Sequence, residues 1–322
     1  MKLSVVIPAY NEEQNIGRCL DELRAVVCEQ NGICSEFVVV NDNSTDGTEA
    51  VVRSRMEGDE NVRVINRDQP GGFGRAVRTG LEAVTGEVVV ICMADLSDDP
   101  RDVVAYYRKI QEGYDCVFGS RFIRGSVVEN YPRVKLFVNR IVNHAVRILF
   151  RTKFNDLTNA FKAYRTSVIR ECGPFWSSHF NITLELSLSA LIRRYNIAEI
   201  PIRWYGRTWG ASNLRLREMG RRYLCTVLTL FFQRMLINDD LMVERLSRGH
   251  AERRAEHRNI QALEQRIRRL EEGVLKLVHD SGRVNESGVV SATGEGSQSP
   301  NNRNDRNSLA RNCGAIPVVA ER

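Results

Sequence analysis

The chain has 322 residues, 43% of them hydrophobic and 27% charged, a balance ordinary for a soluble globular protein with an ample core. Its formal net charge of +6 points to anionic partners: nucleotides, phosphorylated lipids, anionic membrane or nucleic acid. The eight cysteines form no C-x-x-C pair and the five histidines no i, i+4 pair, which argues against a disulfide framework or a zinc site and for reduced thiols in a cytoplasmic protein.

The N-terminal "MKLSVVIPAYNEE" has an apolar segment too short for a signal peptide and enters a strand directly, "LSVVIPA" (3–9). Four further strand-like runs follow: "EFVVVND", "VRVINR", "EVVVICMAD" and "DCVFGSR". Between them the spacing predicts helices over 12–27, 46–56, 74–84 and 100–111. Several strands are apolar almost throughout, as strands covered by helices on both faces are. This alternation predicts an α/β domain around a mostly parallel sheet, with the ligand outside the carboxyl ends of the strands. Asn11, Asp42, Arg67 and Asp95 all fall at or just past such ends. From 131 to 237 the pattern is mainly helical, with "AEIPIRW" as one more strand. Segments 136–153 and 221–237 mix apolar faces with basic residues; each reads as an amphipathic helix lying on a membrane or as a helix packed on the sheet. Past residue 240, Ile260, Leu263, Ile267, Leu270, Val274 and Leu277 form a short a/d seam, able to pair chains or to pack on its own domain. From 281 the chain is rich in Ser, Gly and Asn and reads as a disordered tail.

Four stretches carry chemistry. In "VVIPAYNEE" (5–13), Tyr10 is placed to lie along a nucleobase, while Glu12 and Glu13 suit the positive end of the next helix. In "VVVNDNSTDGT" (38–48), Asp42 can accept hydrogen bonds from a base N–H, and Ser44 or Thr45 reads as a helix cap. "NRDQPGGFGRAVRTG" (66–80) sets Gly71, Gly72 and Gly74 before a helix, a loop that lets backbone N–H groups approach a phosphate. It does not complete G-x-G-x-x-G and follows the third strand, which argues against a nicotinamide enzyme; a sugar nucleotidyltransferase would want its glycine loop after the first strand. In "VVVICMADLSDDP" (88–100) an apolar run ends in Asp95, Asp98 and Asp99. Hard cations want oxygen ligands, so Asp95 suits a Mg²⁺ or Mn²⁺ that neutralises a departing diphosphate. Asp98 and Asp99 precede Pro100 and read equally as helix caps.

Taken together, "VVIPAYNEE", "VNDNSTDGT", "MADLSDDP", "VFGSRF" and "NDLTNAFKAYR" resemble the glycosyltransferase family 2 proteins of the dolichyl-phosphate mannose synthase type, over residues 1–235 in order and spacing. The resemblance implies a GT-A fold with a C-terminal helical extension. Composition and the a/d seam mark 238–280 as a helical segment and 281–322 as a tail; the resemblance assigns 1–237 to the transferase, with a nucleotide-sugar half, 1–120, and an acceptor half, 121–237. It implies a nucleoside-diphosphate sugar of the GDP-mannose or UDP-glucose class, inversion at the anomeric carbon, and a polyprenyl phosphate acceptor at the cytoplasmic membrane face. By position, Pro8, Tyr10, Glu12 and Asp42 would meet the donor, joined by Gly72 and Gly74 of the glycine loop read above, Asp95 and Ser97 the metal, and Arg121 and Arg207 the phosphates. Asp156, Lys162, Arg165 and Ser212 would face the acceptor. Three departures stand out: Met93 where the family's Asp-x-Asp has its first acid, Ser97 where a larger polar residue completes the metal shell, and Asn213 in place of a lysine. Two other readings remain at this level. One is a hydroxyl acceptor in polysaccharide or glycolipid synthesis, served by Asp156 or Glu185 as base. The other is a non-catalytic nucleotide-sugar-binding protein that oligomerises through 260–277. Dispersed basic residues without interleaved aromatics argue against nucleic acid.

Overall fold

The computed structural model describes residues 1–206, 216–237, 260–267 and 269. The first compact unit, Met1–Leu263, contains every strand found among the described residues. In the second, from Glu264, the described residues 264–267 and 269 are helical and exposed.

The strands are β1 (Leu3–Ala9), β2 (Ser35–Asn41), β3 (Val62–Asn66), β4 (Val88–Ile91), β5 (Cys116–Ser120), β6 (Val127–Glu129), β7 (Lys162–Arg165), β8 (Ile197–Pro201) and β9 (Arg203–Tyr205). Seven form one sheet in the order β3-β2-β1-β4-β7-β5-β8, and β6 pairs with β9 in a small second sheet. Only β7 runs antiparallel to its neighbours in the large sheet, with Ile91 opposite Lys162 and Val88 opposite Arg165. β-Branched residues make up all of β4 and the middle of β1 and β2, and side-chain alternation sends them to two separate cores. Leu3, Val5, Ile7, Val88 and Val90 enter one core, with Leu20 and Tyr106; Val6, Val89 and Ile91 enter the other, with Val77 and Leu184.

The helices are α1 (Ile16–Leu23, continued as wider π turns over Arg24–Gln30), α2 (Thr48–Met56), α3 (Phe73–Ala83), α4 (Pro100–Gln111), α5 (Arg133–Phe150), α6 (Thr166–Cys172), α7 (Ile182–Ile192) and α8 (Leu216–Ile237). α4 starts where the sequence predicts because Asp99 accepts the Arg101 N–H at 2.9 Å and Pro100 occupies the first helical position. α2 starts two residues later than the spacing predicts. Its cap is the Asp46 carboxylate on the Thr48 N–H, at 3.0 Å, and neither Ser44 nor Thr45. Those two residues instead bond to Asn11, which closes the β1 turn onto the β2 turn. α3 lies close on β1 because residue 80 is glycine: a Cβ there would stand 2.3 Å from Val6 Cγ1.

Candidate active site

The carboxyl ends of β1, β2, β4 and β5 gather at one rim. Tyr10 is 46% exposed there, as base contact requires. Pro8 is buried within β1, so it shapes the strand end and offers no side-chain surface to a nucleotide. Glu12 is also buried, its carboxylate accepting from Asn15 Nδ2 at 2.7 Å. Asp42 is engaged on both oxygens: Arg67 pairs with Oδ1, and the Gly72 N–H donates to Oδ2 at 2.6 Å. A base N–H would be a further partner, for which a carboxylate still has lone pairs.

The glycine turn differs from expectation. Its N–H groups are already used: Gly71 donates to Gln69, Gly72 to Asp42, and Gly74 and Arg75 to the Ser178 carbonyl at 3.1 and 3.3 Å. A Cβ at Gly72, which has φ +151°, would stand 2.4 Å from Ser178 O, and one at Gly74 2.4 Å from Ser177 O. What approaches these glycines is the backbone of 177–179, and the helix N-terminus is capped by protein, not held open for a phosphate.

Past β4, Leu96 adopts φ +61°, and Asp95 Oδ1 accepts the Ser97 N–H at 3.1 Å. The turn is held from above by the Tyr205 N–H on Ser97 O (3.0 Å) and by a bridge between Asp98 and Trp204. Asp98 does not cap α4; its Oδ2 accepts the Met93 N–H at 2.9 Å, so the acid folds back over the residue where the family pattern has its missing one. Burial, reinforced by the neighbouring Asp95, pushes the Asp98 carboxyl up to about 8, against the pull of the Met93 N–H and Arg121. Asp99 pairs with Arg101, and Asp102 with Arg203 at 2.6 Å.

At the end of β5, Arg121 lies in a buried ion pair: Nε donates to Asp156 Oδ2 at 2.8 Å and Nη2 to Oδ1 at 2.7 Å. Burial opposes the charge, but the Asp156 carboxylate outweighs it and holds the guanidinium above its ordinary pKa. Phe122 and Tyr131 flank the guanidinium, each with its ring centroid 5.4 Å away, and Tyr131 packs on Trp204. Asp156 is thus an orienting partner for Arg121.

Three residues expected at the site are elsewhere employed. Lys162 is 1% exposed and donates to the carbonyls of Leu157 (2.8 Å) and Asn159 (2.5 Å); it faces no open acceptor space. Arg165 sits at the opposite end of the sheet, beside Val88, and donates to the carbonyls of Tyr114 and Ile110. Glu185 accepts the N–H groups of Trp176 and Ser177, both at 2.8 Å, and is no free base. Arg207, Ser212, Asn213 and the tail lie outside the described residues, as does the seam beyond residue 269. Tyr131 and Trp204, which wall the Arg121 end of the rim, are missed by sequence reasoning. Their signal was only an aromatic in each of two segments far apart in the chain.

A sequence profile described as Glycosyl transferase family 2 matches residues 4–173, more than half of the chain. The chain belongs to glycosyl transferase family 2. Among family relatives, a protein named dolichol-phosphate mannosyltransferase from Pyrococcus furiosus is 29% identical over 220 residues, 67% of this chain and 60% of that protein. The chain therefore spans about three fifths of that relative's length. A polyprenol monophosphomannose synthase of Mycolicibacterium smegmatis is 28% identical over 65% of this chain and 80% of its own. A dolichyl-phosphate hexose transferase of Haloferax volcanii is 30% identical over 62% and 81%. The solved glucosyl-3-phosphoglycerate synthase of Mycobacterium tuberculosis, in complex with UDP, has a TM-score of 0.55 at 23% identity, covering 71% of this chain and 80% of that one. The same enzyme solved with Mn²⁺, UDP-glucose and phosphoglyceric acid has a TM-score of 0.55 at 22% identity over 71% and 79%. These likenesses agree with the sheet order in giving a GT-A fold.

Among the described residues no group of three or more His, Cys, Asp or Glu could by itself cage a metal. Met93 offers a soft thioether, and Asp99 and Asp102 are committed to arginines. The donor set fits a Mg²⁺-type ion bound through one carboxylate, Asp95, with substrate phosphates and water completing the shell.

Proposed function

We propose that the protein is an inverting glycosyltransferase that moves a hexose from a nucleoside-diphosphate sugar to a polyprenyl phosphate at a membrane surface. The observation that carries this reading is the juxtaposition at one rim of an exposed Tyr10, the paired Asp42, Asp95, and the Arg121–Asp156 pair. The names of the three relatives support a lipid-phosphate acceptor. Tyr10 and Asp42 bind the base, and the donor diphosphate lies toward Asp95. A divalent ion, held by Asp95 with Ser97 beside it, supplies positive charge to the diphosphate when bound. An oxygen of the acceptor phosphate attacks the anomeric carbon. The bond from that carbon to the diphosphate breaks on the opposite face, and the nucleoside diphosphate leaves with the electron pair. A phosphate nucleophile is already anionic, so no side chain has to take its proton. This matters because Glu185 and Asp156, the two bases a hydroxyl acceptor would use, are bound to backbone N–H groups and to Arg121. Arg121, fixed by Asp156, orients phosphate oxygens with its remaining N–H groups.

Membrane contact falls to α5 and α8. Val134, Phe137, Ile141 and Ile148 of α5 are exposed, as are Leu224, Leu228, Phe232 and Met235 of α8. Residues 133–155 carry six Arg or Lys and no acid. Among the described residues no helix is long and apolar enough to cross a bilayer, and a helix lying in the interface needs only such a stripe. The test is incubation with membranes, Mg²⁺ and a panel of labelled nucleotide sugars. Label in a mild-acid-labile lipid fraction, lost in Asp95→Ala, is expected; label only in water-soluble product would refute the acceptor assignment.

A further inference from the structure

We infer that Glu185 is a positioning residue for nucleotide recognition, acting on Asp42 through the backbone of residues 175–181. The inference rests on the assignment of Asp42 to the donor base. Glu185 lies in the first turn of α7, and its two oxygens hold two consecutive N–H groups, those of Trp176 and Ser177, at 2.8 Å each. That double contact fixes the two peptide planes on either side of Trp176, just ahead of Ser178, whose carbonyl receives the Gly74 and Arg75 N–H groups. The contact behind it is backbone on backbone: a Cβ at Gly74 would stand 2.4 Å from Ser177 O and 2.7 Å from His179 O, with no flexible side chain to give way. The turn so seated presents the Gly72 N–H to Asp42 Oδ2 at 2.6 Å. Two further contacts tie the strap to α3: Arg78 Nη1 on Phe175 O at 2.6 Å, and Phe73 stacked on Phe180 at 4.4 Å between ring centroids. Every link from Glu185 to Asp42 is a main-chain group or a bidentate carboxylate, so a shift at one end displaces the other. Glu185 touches no substrate; it sets the angle at which Asp42 meets a base.

The experiment measures GDP and UDP affinity by calorimetry in Mg²⁺ for wild type, Glu185→Gln, Gly74→Ala and the double variant, alongside thermal melts. Glutamine has the same shape but aims an N–H₂ at one of the two backbone donors. Nucleotide affinity is expected to fall about tenfold or more, and the double variant to be little weaker than Gly74→Ala, because both act on one strap. Thr166→Val, which removes a buried hydrogen bond to Gly86 O at the far end of the sheet, serves as the stability control: it lowers the melting temperature without moving nucleotide affinity. Linkage supplies a test on the wild type alone, since bound nucleotide must slow hydrogen exchange at the Trp176 and Ser177 amides if the strap and Asp42 are coupled. Unchanged affinity in a folded Glu185→Gln or Gly74→Ala, or unchanged exchange on nucleotide binding, overturns the inference and leaves the transferase reading standing. A wild type that binds neither nucleotide overturns both.

Discussion

Replacing Lys162 by methionine separates the pH dependence of one buried amine from that of the whole fold. Lys162 lies at the centre of the sheet with its amine on two carbonyls and its Nζ 5.1 Å from the Phe118 ring centroid. Burial pulls its pKa down to about 7, against the attraction of Asp156 and with added repulsion from Arg121. A neutral amine still has two N–H groups, enough for both carbonyls, so deprotonation leaves those hydrogen bonds in place. The unfolded chain keeps an ordinary lysine, near 10.4. Between these values the unfolded state binds more protons, so stability rises with pH across that window; it is lost as pH falls from about 10.4 to about 7 and levels off below that. Integration from pH 6 to pH 9 gives a gain of ~2.5 kcal/mol from this residue. Urea unfolding of wild type and Lys162→Met at both pH values isolates it, because titrating groups that do not interact with the amine cancel in the comparison. The wild type should gain ~2.5 kcal/mol more than the variant. The variant should also be the weaker at pH 9, since two carbonyls lose donors at ~1–3 kcal/mol each. Parallel pH curves for the two proteins would refute a depressed lysine.

Arg121→Met should destabilise by ~3–5 kcal/mol because it strands the buried Asp156 carboxylate, and adding Asp156→Leu should recover much of the loss in urea titrations. If the double variant is no better than the single one, the pair is not what holds the two segments. Gly80→Ala should cost ~1–3 kcal/mol by forcing a methyl group into Val6, although alanine is the better helix former by ~1 kcal/mol; a more stable variant would show that α3 can back away from β1. Phe137→Glu with Leu228→Glu should abolish flotation with vesicles containing anionic lipid, and 0.5 M salt should weaken it in the wild type. Chelation by EDTA should stop sugar transfer, with Mg²⁺ or Mn²⁺ restoring it in the wild type but not in Asp95→Asn; transfer that persists in excess chelator would remove the ion from the scheme.

The large sheet was legible wherever hydropathy alone decides. β1 falls on Leu3–Ala9 and α4 on Pro100–Gln111, as read, because an unbroken apolar run and a capped, proline-led helix are local properties. β7 was not legible. A strand written "KAYR" at the middle of a sheet looks like a surface segment, and only tertiary carbonyls make its lysine tolerable there. The predicted helix over 12–27 is shorter at its start and widens into π turns after Leu23, which no periodicity announced. At the site, the rim positions of Tyr10, Asp42 and Asp95 followed from strand ends. The glycine turn misled because glycines before a helix mean only that something comes close. A phosphate and a neighbouring main chain demand the same absence of side chain. Arg121 and Asp156 were each singled out but not as partners, since 35 residues separate them and nothing local records the match.

The placement of β7 between β4 and β5 bears on how the molecule is made. When the ribosome has released the first 120 residues, β4 has one bare flank, "VVVI", and β5 has no partner at all. Both wait for a strand more than forty positions downstream. A nascent chain halted there would present an apolar, unpaired border to its neighbours, the kind of edge that aggregates. Residues 1–120 are therefore not a detachable piece, and cutting the gene at that point should yield aggregated protein in place of a minimal folded module.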